Sequence, residues 1–545
     1  MVTNEIITVT PEDPAHRFQT LIKGFNLRWP EEGKEPAKII ICRTPAEVEI
    51  ALNDTIKSGL RPTIRSGGHC YEGFVSNNQG GVIIDIGLMS GLNADVIAGD
   101  HEYGLQAMAG NQNWDGYVGL YKRTGKTLPG GSCYSVGAGG HIVGGGYGLL
   151  SRLHGLTVDW LAGVDILIPD GTGVKMVHAR ADNQYHDVFK FCRGAGGGNI
   201  GVITAYYFDD LPLAPQQVAV QFLQCPWSQF KDNPTRFSEF LDAYANYFIA
   251  ADQDQNTYGL FTLLKLAHIS AGHIGLVVQY TDPNGKLDDT RALMEFYEAM
   301  KPYVEPLTTY VPGGVHLPFI GSNSTVKTTG DLPPDTQVMD WLYATQTLNG
   351  SGNNQRGKYG SSYMKDGFTA AEKSTLFAFL TEENEYDSDF SQTLVQVDSY
   401  GGAINHPCKT NNNFDPGENM TSVPQRSSVL KVQYQCYWTD PARDEDYLSL
   451  FGMFYSNMHL EDGLNGTPYP FARDGSPSTH YEGCFINYPD INMLTGWKGH
   501  PNYDPNYSWG DLYYPGLYDE LIATKAKYDP QDIFNHAMSI PVKRS

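Results

Sequence analysis

The chain has 545 residues, 41% of them hydrophobic, and a formal charge of −23 at pH 7. That length exceeds one ordinary core and predicts two domains. The charge argues against nucleic acid or an anionic membrane as partner, because both require a basic surface. No apolar run is long enough to span a bilayer, and Met1 to Gln19 lacks the basic-then-apolar block of a secretory leader. Eight cysteines without a Cys-x-x-Cys pair predict neither a disulfide framework nor a metal site. Asn-x-Ser/Thr sequons at Asn53, Asn323, Asn349, Asn419, Asn465 and Asn506 leave the compartment open.

Taken in chain order, residues 38 to 65 read strand, helix, strand. The helix is announced by Thr44 as N-cap, Pro45 at its first position and Glu47 as capping-box partner. A Gly67-Gly68-His69 turn follows directly. Gly81 to Ile86, Val164 to Ile168 and Val202 to Phe208 are expected strands. Leu211-Pro212-Leu213-Ala214-Pro215 marks a domain boundary. Beyond it, Phe237 to Phe248 and Asp289 to Met300 read as helices, and Leu394 to Asp398 and Val429 to Trp438 as strands. A helix at Tyr518 to Lys527 precedes the tail that runs to Pro541. There are no internal repeats.

Two segments carry the chemistry. Arg65-Ser66-Gly67-Gly68-His69-Cys70-Tyr71 and the stretch from Gly130 to His141, containing Cys133, each set one nucleophile among glycines. There, backbone N–H groups can approach a phosphate or a flat ring. Gly196 to Gly201 satisfies the dinucleotide pattern, but a strand follows it where that pattern needs a helix, so the nicotinamide reading fails.

These segments resemble the flavin-linked oxidases of the berberine-bridge-enzyme and vanillyl-alcohol-oxidase superfamily, and within it the carbohydrate oxidases of the hexose-oxidase type. The resemblance extends through Gly24-Phe25-Asn26, Leu153 to Leu156, Asn349 to Gly352, Gln355 to Tyr359 and Asn487-Tyr488-Pro489-Asp490. It implies an α+β, two-domain, PCMH-type FAD-binding fold. Residues 1–212 form the FAD domain, 213–496 a substrate domain on an antiparallel sheet, and 497–545 a segment that returns to the FAD domain.

The resemblance also implies FAD bonded to both His69 and Cys133. It places Arg65, Ser66, Gly67, Gly68, Gly130, Gly131, Ser132, Val136, Gly137, Gly140, His141, Gly144, Gly198, Gly201, Val202 and Asn487 around the cofactor. Tyr488 matches the family's base, with Lys431, Gln433 and Asp398 beside it. By period two, Lys431 and Gln433 share a strand face, as do Gln396 and Asp398. Tyr71, Tyr147, Gln396 and Phe485 are expected to line the substrate pocket, Phe485 standing where many relatives carry tyrosine. Tyr71, Tyr147, Gln396 and Gln433 together suit a neutral polyol and suit an apolar ring system poorly.

The implied reaction is oxidation of a sugar hydroxyl, at the anomeric carbon, to a lactone, with O2 reduced to hydrogen peroxide. The alternative is a tailoring oxidase of natural-product biosynthesis that acts on a glycosyl or alcohol group of a larger scaffold. A second alternative is an inactive carbohydrate-binding relative, against which the intact His69, Cys133, Gln433 and Tyr488 count.

Overall fold

The computed structural model describes residues 6–307, 331–348, 354–382, 392–407 and 421–544. The Asn349 to Gly352 motif, Cys408 and the sequons at Asn323, Asn349 and Asn419 lie outside the described residues.

The first region contains two sheets. Strands β1 (Ile7–Val9), β2 (Lys38–Ile41), β3 (Pro62–Arg65) and β4 (Val82–Asp85) form one, in the order β1-β2-β4-β3. Its β2-β4 and β4-β3 pairs are parallel, connected through the helix Pro45–Lys57. Thr44 caps that helix as expected, accepting from the Glu47 N–H at 3.2 Å. The Glu47 carboxylate, however, reaches past the cap to the Arg43 N–H at 2.6 Å, because the Arg43 guanidinium draws it there. Val48, Ala51, Leu52 and Thr55 make the buried helical stripe.

The second sheet holds β5 (Leu92–Ala98), β6 (His101–Met108), β7 (Gly163–Asp170), β8 (Gly173–Ala179) and β9 (Val202–Phe208), antiparallel in the order β5-β6-β9-β7-β8. Every residue of β9 is buried.

Beyond Pro215 the chain builds an eight-stranded antiparallel sheet. Its strands are β10 (Gln217–Pro226), β11 (Leu260–Ala267), β12 (His273–Tyr280), β13 (Glu305–Pro306), β14 (Gln337–Asp340), β15 (Arg356–Met364), β16 (Leu394–Ser399) and β17 (Leu430–Trp438). They run β13-β10-β12-β11-β16-β17-β15, with β14 also on β10.

Helices Arg291–Met300, Pro234–Ala251, Ala370–Thr381 and Asp444–Met458 lie side by side along this sheet. Tyr244 donates its hydroxyl to Val397 O at 3.0 Å, and Tyr455 to Ser361 O at 2.8 Å. Alternation then sorts the side chains. Leu264, Leu266, Val395, Val397, Val432 and Tyr434 are buried in the core, while Lys265, Gln396, Asp398, Lys431 and Gln433 share the opposite face. A row of polar side chains this dense on an inward sheet face is a building plan for a site. Among the described residues no helix is long and apolar enough to cross a membrane.

Candidate active site

A cavity of about 660 Å³ runs between the glycine loops of the first region and the polar face of the eight-stranded sheet. The His69 and Cys133 loops meet at a backbone crossing. A Cβ on Gly67 would lie 2.3 Å from Gly137 N, and one on Gly137 2.3 Å from Gly67 N, so only glycine fits on either side. The crossing brings Ser135 to His69, whose Nε2 is 2.8 Å from Ser135 Oγ, while Phe25 stacks on the imidazole. Burial lowers the His69 pKa to about 4 and keeps the ring neutral and nucleophilic at pH 7.

The Cys133 loop is tied from behind. Asn113 Nδ2 donates to Gly131 O and Cys133 O at 3.1 and 3.0 Å, Tyr117 donates to Gly131 O, and Gly131 N–H donates to His141 Nε2 at 2.8 Å. His141 must therefore be neutral, and burial, aided by the charge of Lys431, lowers its pKa to about 4.

The other wall comes from register. Lys265 pairs with Gln396 and Gln396 with Gln433; one step along, Leu263 pairs with Asp398 and Asp398 with Lys431. Gln396 Nε2 donates to Asp398 Oδ1 at 2.9 Å, and Lys431 Nζ lies 3.4 Å from Asp398 Oδ2. Lys431 sits 4.3 Å from the ring centroid of Tyr488 and 4.4 Å from that of Tyr147. Tyr71 stacks on Tyr359 at 3.5 Å and on Tyr488 at 5.4 Å, and Gln433 donates to its hydroxyl at 3.3 Å. Burial pushes Asp398 above the usual carboxylate range against the pull of Lys431, and pulls Lys431 below the usual lysine range.

The cavity lining includes Arg65, Ser66, Gly67, Gly68, His69, Gly131, Ser132, Cys133, Val136, Gly137, Gly140, His141, Gly198, Gly201, Val202 and Asn487 of the expected cofactor set. It also includes Tyr71, Tyr147, Gln396, Asp398, Gln433, Phe485 and Tyr488.

Several of the expected residues have contacts that the sequence alone does not give. The guanidinium of Arg65 is committed to Asp85 Oδ2 at 2.6 Å and to the carbonyls of Leu21 and Lys23, so it anchors the turn. Gly130 and Gly144 lie behind the lining: the first packs against Tyr117 and His141, the second against the Asn487 amide that donates to His141 O. Lys431 is fully buried behind the aromatic wall. Tyr147 donates its hydroxyl to Ser399 O at 3.0 Å, which leaves its ring as the surface it presents.

Two features escape sequence reasoning. Lys265 faces the cavity, and Lys358 Nζ lies 2.6 Å from both Glu72 Oε1 and Asp490 Oδ1, all three buried. Lys358 and Glu72 adjoin Tyr359 and Tyr71 in sequence and Asp490 is two residues after Tyr488, so one ammonium ties together the segments bearing the stacked rings. Burial opposes its charge, but the two carboxylates outweigh that and raise its pKa.

The cavity fits FAD. It has the volume of a cofactor pocket. A Cβ on the lining residue Gly140 would meet nothing within 4 Å, so a side chain there would fill the space.

Residues 36–176 match the family model "FAD binding domain", and residues 484–541 match "Berberine and berberine like". Hexose oxidase of Chondrus crispus is 34% identical over 98% of this chain and 95% of its own length. An oxidoreductase of the terminal step of gilvocarcin biosynthesis, solved with pregilvocarcin, superposes with a TM-score of 0.81 at 28% identity, covering 98% of this chain and 99% of the other. A glycopeptide hexose oxidase in complex with teicoplanin gives 0.80 at 27%, covering 98% and 99%. The α+β architecture is that of the vanillyl-alcohol-oxidase-type FAD enzymes, and the chain belongs to the berberine-bridge-enzyme-like family of FAD-linked oxidases.

Proposed function

We propose that the protein oxidises a reducing sugar at its anomeric hydroxyl to the lactone, with O2 as electron acceptor. We divide it into an FAD domain of residues 1–212 and 497–545 and a substrate domain of residues 213–496. His69 and Cys133, held on converging loops, bond the cofactor covalently. Bound FAD supplies the acceptor for the carbon-bound hydride and passes the electrons to oxygen, giving hydrogen peroxide.

The observation that carries the reading is Tyr488. Its phenol stands in the cavity lining with the Lys431 ammonium 4.3 Å from its ring, a position from which it takes the sugar hydroxyl proton as general base. The ammonium favours the phenolate that proton abstraction requires. Gln396 and Gln433 offer amide partners to neighbouring hydroxyls, and Tyr147 an aromatic face. Hexose oxidase, similar over nearly the whole chain, supports a sugar.

A reducing mono- or disaccharide reduces the bound flavin without oxygen, and its 1-O-methyl glycoside, which lacks the anomeric hydroxyl, does not. The relatives solved with pregilvocarcin and teicoplanin support a second reading, in which the substrate is a glycosyl or alcohol group of a larger natural product. Flavin reduction by a glycosylated natural product and by no free sugar would select it.

A further inference from the structure

Among the described residues, the charged groups lining the cavity are Arg65, Glu72, Lys265 and Asp398, and three of them already have partners. Arg65 is paired with Asp85, Glu72 with Lys358, and Asp398 with Lys431. The second carboxylate on Lys358, Asp490, is balanced by Arg28, whose charge Glu72 also feels. The histidines of the lining, His69, His141 and His536, are kept neutral by burial. Lys265 is different: it is half-buried at the cavity wall, its ammonium makes no hydrogen bond or ion pair with any described residue, and the nearest charge it feels is that of Asp398. Asp398 is already paired with Lys431, so its one negative charge is shared between two ammonium groups and does not offset both. The cavity thus carries one uncompensated positive charge, placed on a wall otherwise lined by amides and phenols.

We propose that Lys265 is the specificity-determining residue of the substrate pocket and that it receives a carboxylate, so that the substrate is an acidic sugar of the uronic-acid class. This rests on the sugar-oxidase reading and narrows it.

Register gives the distance. Lys265 is opposite Gln396, which is opposite Gln433, the residue that reaches Tyr71 beside Tyr488. Two strand spacings, about 10 Å, separate Lys265 from Gln433 along the wall. The long lysine side chain shortens that span, so an acid group on the far side of the oxidised ring, or on the next ring, meets the ammonium. A single positive charge suits a monoanion. A phosphate ester would need a second cation, and every other one near the lining is engaged. Gln396 and Gln435 are the adjacent amide donors for the remaining carboxylate oxygen.

The test uses FAD-loaded enzyme with D-glucuronate, D-glucose and D-glucose 6-phosphate, read as anaerobic flavin reduction and as heat of binding. A charge-assisted hydrogen bond in a partly desolvated site is worth about one to two powers of ten. Wild type is therefore expected to favour glucuronate over glucose in kcat/KM by at least about tenfold. Lys265→Met is expected to lower that ratio by the same factor, and Lys265→Arg to retain it; the flavin content of each purified variant monitors folding.

A wild-type preference for glucose, a ratio unmoved by Lys265→Met, or glucose 6-phosphate as the better substrate overturns the assignment. So does a Lys265→Met enzyme whose sugar-free flavin spectrum shifts while the ratio stays, because the ammonium would then serve the cofactor. If no sugar reduces the flavin, calorimetry separates the two readings. Glucuronate binding to wild type and not to Lys265→Met leaves this inference standing and removes the oxidation reading, whereas absence of binding removes both.

Discussion

Tyr488 is subject to opposing influences. Burial raises its pKa above the ordinary phenol value, and the charge of Asp398 adds to that. Lys431, 4.3 Å from its ring, favours the phenolate. In the proposed reaction Tyr488 acts as phenolate, so flavin reduction should accelerate as pH rises toward the Tyr488 pKa. Lys431→Met, by removing the favourable charge, should move that rise to higher pH. Tyr488→Phe should load flavin normally yet reduce it about two to four powers of ten more slowly, as stopped-flow absorbance would register. Equal rates would assign the proton to another group. For the cofactor, denatured and acid-precipitated wild type should retain its flavin, and His69→Ala or Cys133→Ala should each keep part of it through the other bond. Complete release from wild type would end the double-attachment proposal. Val136 lines the cavity three residues after Cys133, and its carbonyl accepts from Asn113 N–H at 3.0 Å. Its small side chain leaves space, so Val136→Leu should slow reoxidation by O2 without slowing reduction.

Between elements, buried charge clusters fix how the sheet meets its surroundings. His480 is hydrogen-bonded to Asp366 and to Glu372 on the helix Ala370–Thr381, and Tyr481 donates to the same Glu372. Burial disfavours its charge, but the two carboxylates prevail and raise the pKa from 6.5 to about 10. A raised folded-state pKa means stability that is fully present below about pH 6.5 and is lost as pH climbs to about 10. His480→Asn should therefore flatten the fall in thermal stability across that window, and an unchanged pH profile would show that the cluster has no such linkage. This cluster, like the Lys358 clamp, was not legible in the sequence, because its members are brought together by long-range topology. Glu372 and His480 are contiguous in space and remote in chain. What was legible is local: the Thr44 cap, the Gly-Gly-His turn, and the period-two faces of β16 and β17. Lys265 was missed for a related reason. Leu260–Ala267 was not among the expected strands, and only its register against Gln396 reveals that its lysine points inward with the polar row.

At the scale of the whole molecule, the tail after the last helix closes the end of the cavity proposed to hold the cofactor. Lys525, fully buried on the helix Tyr518–Tyr528, donates to Asn199 O at 2.6 Å, Phe534 O at 2.7 Å and Asp529 Oδ2 at 2.6 Å. One ammonium thereby joins the tail to the glycine loop before β9. Further along, Ile540 N–H donates to Asn199 Oδ1, and His536 stacks on Phe74 with its Nε2 3.3 Å from Gly197 O. Phe534, Asn535, His536 and Met538 all line the cavity, so the final residues complete a pocket begun by the first two hundred. Folding must bring the two ends of the chain together before this part of the cavity exists. Removing one partner of a buried ion pair typically costs about 3–5 kcal/mol, because the other charge stays enclosed and unpaired. Lys525→Met should lose stability on that order and also yield protein with substoichiometric FAD, since Asn199 loses both its anchor and its position. His536→Ala leaves the Lys525 network intact and should lower FAD content with a much smaller change in melting temperature. Both variants are to be compared with wild type by flavin absorbance per chain and by thermal denaturation. Full FAD occupancy in Lys525→Met would show that the tail only covers a cofactor site the first region builds unaided.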